Sequence, residues 1–235
     1  MNLKLQAAQK ALEFVKNGMV VGLGTGSTTA HFIDLLGEKL RQGDLHEIRG
    51  VPTSELTASQ ARRLNIPLTT LGKCGDIDLA VDGADEVDPR LDLIKGLGKA
   101  LLREKIVEIH ARQFVVIVDE TKLVQRLGMH VALPVELVPF EWEASMHWLN
   151  KLGCRAELWL QENGKPFVTD NGNYLARCWF EESGSGNLLG IPDPFALSDR
   201  LANRPGIVEH GLFLNMADKV IIAEQEGIRM VERAS

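Results

Sequence analysis

Three cysteines in 235 residues, Cys74, Cys154 and Cys178, are too few and too widely spaced for a disulfide framework. None has a histidine at ligand spacing, which argues against a structural zinc site. They read as reduced, mostly buried thiols, the pattern of a cytosolic protein. Positive charge is also short: the formal net charge is −6, which disfavours a nucleic-acid or anionic-membrane binder but allows a small basic pocket. No uninterrupted apolar run is long enough to span a bilayer. Residues 1–18 lack the apolar core and cleavage site of a signal peptide. They show an amphipathic helix pattern instead, with Leu5, Ala8, Leu12 and Val15 on one face and Gly18 as its stop. Internal repeats and low-complexity tracts are missing too. The length suits one large α/β domain, or a core domain carrying a smaller insert.

What is present alternates. Met19–Leu23 reads as a strand, 28–41 as a helix, 47–51 as a strand and 54–65 as a helix ended by Pro67. A strand over 79–82, a helix over 99–112 and a strand over 114–118 continue the series. Such alternation predicts a mostly parallel sheet flanked by helices, with ligands at the carboxyl ends of its strands. After about Gly128 the pattern changes to strand 133–138, helix 141–152, strand 155–161, an Asn163-Gly164 turn and a strand region over 167–180. A helix over 193–203 follows, capped by Asp193 with Pro194 at its first position. That order predicts a small α+β insert. The stretches 207–214 and 220–224 read as strands returning to the main sheet.

Two segments carry chemistry. Val20-Val21-Gly22-Leu23-Gly24-Thr25-Gly26-Ser27-Thr28-Thr29 is a strand, a glycine-rich turn and a helix start, which together make an anion site. The Walker pattern fails because no lysine precedes Ser27, and Ser27 stands where the dinucleotide fingerprint needs its third glycine. A tight turn with a Ser27 or Thr28 cap would need no ligand at all. The second segment, DLAVDGADEVDPRLDLIKGLGKALLREK over 78–105, sets Asp82, Asp85, Lys95 and Glu104 within one strand–loop–helix unit. A positioned carboxylate base and a cation beside a developing oxyanion are the equipment for moving a proton next to a carbonyl. The competing readings are an Asp85–Lys95 ion pair bracing the loop, an exposed Glu104 paired with a lysine, and a magnesium site on Asp82, Asp85, Glu86 or Asp88. An ammonium in the same place would oppose a metal cation.

The blocks GLGTGSTTAHFIDLLG, VPTSELTASQARRLNIPL, DLAVDGADEVD, IKGLGKALLREKI, VDETKLV, LPVELVPF and VTDNGN resemble, in order and spacing, the type A ribose-5-phosphate isomerase family. The resemblance implies a metal-free, cofactor-free interconversion of ribose 5-phosphate and ribulose 5-phosphate in the non-oxidative pentose phosphate pathway. Glu104 matches the family's general base, which works through a cis-enediolate. Leu101 and Val107 share its helix face, an apolar setting suited to a base that must take up a proton. Asp82 resembles the group that opens the sugar ring and relays protons. Asp85 and Lys95 are similar to the groups that hold substrate hydroxyls and stabilise the enediolate oxygen. Thr25, Gly26, Ser27 and Thr28 match the substrate loop, Gly83 and Ala84 the turn between the two aspartates, and Lys122 the phosphate-side lysine. Gly96 and Gly98 allow close backbone approach to the sugar; Leu97 stands where the family often has glycine. Lys4 either reaches the phosphate or is a solvated surface lysine, the commoner case for a lysine on a first helix.

The resemblance further implies a catalytic α/β domain (Rossmann-like) from residues 1–128 and 206–235, and a small α+β, ferredoxin-like domain from 129–205 that helps pack subunits. The implied partners are a sugar phosphate and further copies of the chain, as homodimer or homotetramer, with no nucleic acid and no membrane. The six histidines match no motif, and Trp142, Trp148, Trp159 and Trp179 read as the insert's core or a subunit contact. The rival is a non-catalytic sugar-phosphate sensor, which has no need of Asp82, Asp85, Lys95 and Glu104 together.

Overall fold

Residues 79–82, 114–118 and 220–223 are nearly pure β-branched or apolar runs, the signature of strands buried on both faces. In the computed structural model, which describes residues 2–181 and 187–233, they form the middle of a largely parallel sheet. The strands, in chain order, are β1 (Val20–Leu23), β2 (Arg49–Pro52), β3 (Leu79–Asp82), β4 (Glu86–Val87), β5 (Leu93–Ile94), β6 (Phe114–Asp119), β7 (Leu133–Leu137), β8 (Arg155–Leu158), β9 (Tyr174–Trp179), β10 (Ile207–His210), β11 (Leu212–Phe213), β12 (Lys219–Glu224) and β13 (Gly227–Glu232). The α-helices are α1 (Leu3–Leu12), α2 (Ser27–Gln42), α3 (Glu55–Arg63), α4 (Leu71–Cys74), α5 (Leu101–Glu108), α6 (Trp142–Leu149) and α7 (Pro194–Ala202).

The chain divides into two compact units. The first holds 1–84, 103–122 and 215–235, and the second holds 85–102 and 123–214. The segment 85–102, which the sequence reading groups with the larger domain, thus belongs with the second unit, as do 123–128 and 206–214.

In the first unit the sheet order is β13-β12-β6-β3-β1-β2, parallel except for the β12–β13 hairpin. Alternate residues serve opposite faces. Val21, Leu23, Leu79, Val81, Val115, Ile117, Ile221 and Ala223 pack with Ala7, Ala8 and Ala11 of α1 and Phe32, Ile33 and Leu36 of α2. Val20, Val51 and Ile77 pack with Val107 of α5 on the other side. Each fully buried aliphatic chain is worth about 1.5–3 kcal/mol, so this two-sided core outweighs anything helix propensity contributes. The first helix ends early, at Leu12; of the expected face Ala8 and Val15 are buried, while Ala7 and Ala11 are buried more deeply than Leu5 and Leu12. Its small residues let the helix approach the sheet closely. After β1 the chain runs outward to β2 and returns to β3 on the other side of β1. The topological switch therefore lies between the carboxyl ends of β1 and β3.

In the second unit β7-α6-β8-β9-α7-β10 builds an antiparallel sheet in the order β10-β7-β9-β8, the connectivity of a ferredoxin-like fold. Asp193 caps α7 through Ala196, with Pro194 at its start. A separate three-stranded sheet, β11-β5-β4, is made of two-residue strands. Here the expectation for the C-terminal strands needs correcting. Residues 207–210 pair with β7 and 212–213 with β5; only β12, with its hairpin partner β13, lies in the main sheet. All three cysteines are free thiols, two of them buried, as the sequence suggests. Cys154 and Cys178, distant in sequence, are buried together in the core of the second unit, and hydrogen bonding to Cys154 together with burial pushes the Cys178 thiol well above its ordinary pKa. Trp142 and Trp148 pack on that core, whereas Trp159 and Trp179 lie under the guanidinium groups of Arg177 and Arg155.

Candidate active site

Asp82 ends β3 at the switch point and is 1% exposed. Its Oδ1 accepts the backbone N–H of Thr25 at 3.0 Å and of Gly83 at 2.7 Å, and the Thr29 hydroxyl at 3.1 Å. These donors fix the carboxylate against the loop that follows β1. The approach is so close that a Cβ on Gly24 would lie 2.1 Å from the Asp82 Cγ, so no other residue fits there. Gly26 takes φ of +146° just before α2, a conformation open to glycine alone, and it turns the chain into the helix.

Thr25 is anchored by its side chain as well. Its hydroxyl lies 2.7 Å from Thr53, 2.8 Å from Ser54 and 3.1 Å from Thr57, while Thr57 donates to the Gly24 carbonyl. Ser54 also caps α3 through the Thr57 amide, a bond of the kind worth about 1 kcal/mol. This alcohol cluster was not singled out from sequence, though the run Pro52-Thr53-Ser54-Glu55-Leu56-Thr57 carries its signal. It holds Thr25 inward and leaves Gly26 and Ser27 exposed at the start of α2, where orphan amides and the helix dipole favour an anion. Lys4 places Nζ 2.8 Å from the Ser27 Oγ and brings positive charge to the same loop. Lys122 lies in the turn of 3₁₀ helix, Glu120–Lys122, that follows β6, the strand next to β3.

Glu104 sits in the first turn of α5 and is 2% exposed, which removes the reading of a solvated helix glutamate. The exposed pairing role belongs instead to its neighbour Arg103, which bonds Glu55 at 2.9 Å. The helix itself starts at Leu101 rather than Lys99. Lys99 has φ of +67°, and its amide closes a tight turn on the Gly96 carbonyl.

In the second unit the acidic run sorts itself. Glu86 is wholly buried and accepts backbone N–H groups from Gly128, from His130 at 2.6 Å and from Val131 at 2.9 Å. Asp88 accepts the amides of Arg90 and Asp92 in a turn. Both are thus structural carboxylates, and the magnesium reading loses two of its four ligands to backbone donors. Among the described residues no three His, Cys, Asp or Glu side chains converge as a metal-binding group. Asp85 accepts the Leu97 amide at 2.8 Å through Oδ2, and its own N–H donates to the Ile94 carbonyl. Leu97 therefore serves the loop through its backbone, and its side chain in place of glycine leaves that bond intact. Lys95, at the end of β5, is 2% exposed; Gly96 beside it has φ of +109°. Above the loop the Lys99 ammonium lies 4.4 Å from the ring centre of Phe167 and 5.1 Å from that of Trp159. The VTDNGN block has a structural role: Thr169, Asn171 and Asn173 all donate to Oε1 of the buried Glu136 on β7.

Comparison with known proteins gives consistent matches over nearly the whole chain. The family model for ribose 5-phosphate isomerase A (phosphoriboisomerase A) matches residues 49–227. The probable ribose-5-phosphate isomerase 2 of Arabidopsis thaliana is 52% identical over 97% of this chain and 85% of its own length. The ribose-5-phosphate isomerase A of Rhodopseudomonas palustris is 49% identical over 99% of this chain and 98% of its own. A D-ribose-5-phosphate isomerase solved in complex with phospho-erythronic acid superposes with a TM-score of 0.93 at 44% identity, covering 99% of this chain and all of that one.

Proposed function

The chain belongs to the ribose 5-phosphate isomerase A family, and we propose on that footing that it interconverts D-ribose 5-phosphate and D-ribulose 5-phosphate by proton transfer through a cis-enediolate. The observation that carries the reading is the burial of Asp82, Lys95 and Glu104 at 1–2% exposure within one short segment. Taking three ionisable groups out of water within one segment is costly even when they are paired. A sensor loop would gain nothing from all three.

Each residue then has one task. Asp82, fixed through Oδ1, assists opening of the furanose ring and relays protons among the substrate oxygens. Glu104 takes the proton from C2 of the open-chain aldose, and electrons move onto the C1 oxygen. Lys95 brings an ammonium to that oxygen, an interaction that strengthens as charge develops and so lowers the barrier. Glu104 returns the proton to C1, while a proton passes from the C2 oxygen to the C1 oxygen. C1 is reduced as C2 is oxidised within one molecule, so no external oxidant or reductant enters the reaction. Asp85 holds substrate hydroxyls from a loop whose shape its bond to Leu97 maintains, beside Gly83, Ala84, Gly96 and Gly98. The phosphate is met by the amides of Gly26, Ser27 and Thr28 at the start of α2, with Lys122 and Lys4 supplying charge. The bound phosphorylated sugar acid of the solved relative supports a site for a small anionic sugar phosphate.

The protein works in the cytoplasm as a homodimer or homotetramer. Phe140 at 80% exposure, with Leu160, Val168 and Leu189 also exposed, supports a subunit contact on the second unit. Among the described residues no helix is long and apolar enough to cross a membrane. The test is conversion of ribose 5-phosphate by protein in excess EDTA, with Glu104→Gln alongside. Fast turnover lost in the variant upholds the reading. Absence of turnover with ribose 5-phosphate still bound would replace it with the sensor.

A further inference from the structure

We propose that Gly211 and Phe213 are positioning residues for Lys95, holding its backbone and its ammonium in place from one short strand. The inference deepens the reading above and rests on the role given there to Lys95. β11 pairs antiparallel with β5, Leu212 opposite Ile94 and Phe213 opposite Leu93, so the strand that delivers Lys95 is fixed in register by the strand that carries Phe213. At its end the Lys95 amide donates to the Gly211 carbonyl at 2.9 Å, and the Gly211 amide donates to Pro134 of β7 at 2.8 Å. Gly211 is thereby wedged between the lysine loop and the four-stranded sheet. A Cβ there would stand 2.2 Å from the Lys95 carbonyl oxygen and 2.9 Å from Pro134 Cδ. Glycine is required by this crowding alone; its φ is outside the left-handed region.

The side chain is held by the same strand. The Lys95 Nζ lies 5.3 Å from the centre of the Phe213 ring, within the range of a cation–π contact, and Phe213 is fully buried. Such a contact is stronger in a desolvated place than at a surface. A ring face attracts the ammonium through its quadrupole and carries no net charge, so this contact orients Lys95 without itself neutralising the ammonium. Phe213 could also be explained as a core residue that merely happens to lie under a lysine. The two accounts differ in what they demand of the ring: packing needs only its volume, whereas holding a cation needs its electrons.

The experiment replaces Phe213 in the full-length protein with 4-fluoro-, 3,5-difluoro- and 3,4,5-trifluorophenylalanine, which drain the ring's quadrupole at nearly constant shape. Ribose 5-phosphate turnover is measured beside wild type and Lys95→Ala. We expect kcat to fall stepwise with fluorine count, by about tenfold at the trifluoro ring, with KM within about twofold and the melting temperature nearly unchanged. Gly211→Ala should lose on the order of a hundredfold in kcat by displacing Lys95. An active wild type with a flat fluorine series would overturn the role of Phe213, and a fully active Gly211→Ala would overturn that of Gly211. An inactive wild type would instead bring down the isomerase reading and this inference with it. Active wild type with unimpaired Lys95→Ala would remove the inference alone, by showing that Lys95 has no charge to deliver.

Discussion

The two units bury carboxylates to the same depth and, on the mechanism proposed above, use them in opposite ways. In the second unit Glu86 has both oxygens occupied by backbone amides, and Glu136 gathers a hydroxyl and two carboxamides. In the first unit Asp82 likewise receives two backbone amides and a hydroxyl, at Oδ1, and Glu104 is buried in the opening turn of a helix. Burial alone therefore does not mark a reactive acid. Glu86 and Glu136 tie loops of their own unit together, whereas Asp82 stands at the carboxyl end of β3, at the switch point where such sheets take their ligands.

The strongest attempt to break that contrast is Glu104→Gln. Turnover should fall by about 10³-fold or more, with ribose 5-phosphate binding by calorimetry changed only a few-fold, because the shape is kept and the base is gone. Near-normal turnover would place Glu104 among the structural carboxylates. The converse substitution, Glu86→Leu, should cost about 3 kcal/mol or more in urea unfolding, since three backbone donors lose their acceptor in the interior. Unchanged stability there would show that water reaches those amides. Between these extremes, Lys122→Ala should raise KM about tenfold and leave kcat nearly alone, and Lys4→Ala should do the same by about threefold. An unchanged KM removes the lysine concerned from the phosphate side. The smallest effect belongs to Glu181, whose carboxyl is held below its ordinary pKa by the hydrogen bond to Arg155. That ion pair supports the fold above the unfolded glutamate pKa and is lost as pH falls through the lowered value. It is exposed to solvent and screened by salt, so Glu181→Gln should leave the acid-unfolding midpoint almost in place.

The sequence was most legible where the physics is local and repetitive. Buried parallel strands such as β3 and β6 announce themselves as unbroken β-branched runs, and the strand–glycine turn–helix at 20–29 follows from the residues alone. Legibility fails for β4, β5 and β11, because a two-residue strand has no period to detect; its existence depends on partners far along the chain. That is why 207–214 seemed to return to the main sheet. The hairpin partner β13 escaped notice for another reason: its Gln225-Glu226 turn lacks the Asn-Gly or Asp-Gly signal, and its side chains are mostly exposed. Among candidate site residues, the motif pointed to Asp82, Asp85, Lys95 and Glu104, but not to what holds them. Lys4 sits in a helix pattern that does not distinguish a phosphate ligand from a surface lysine, and nothing local marks the Thr53, Ser54 and Thr57 hydroxyls as one cluster.

Gly24 and Asp82 make each other's choice. No side chain can appear at position 24 while an aspartate stands at 82, and a smaller residue at 82 would give up the carboxylate. The two positions therefore constrain each other, and a library that randomises the loop alone should return glycine at 24 from every functional clone. Only a library that varies both positions could leave that corner of sequence space, and its first step would discard the carboxylate before any new side chain could be tried.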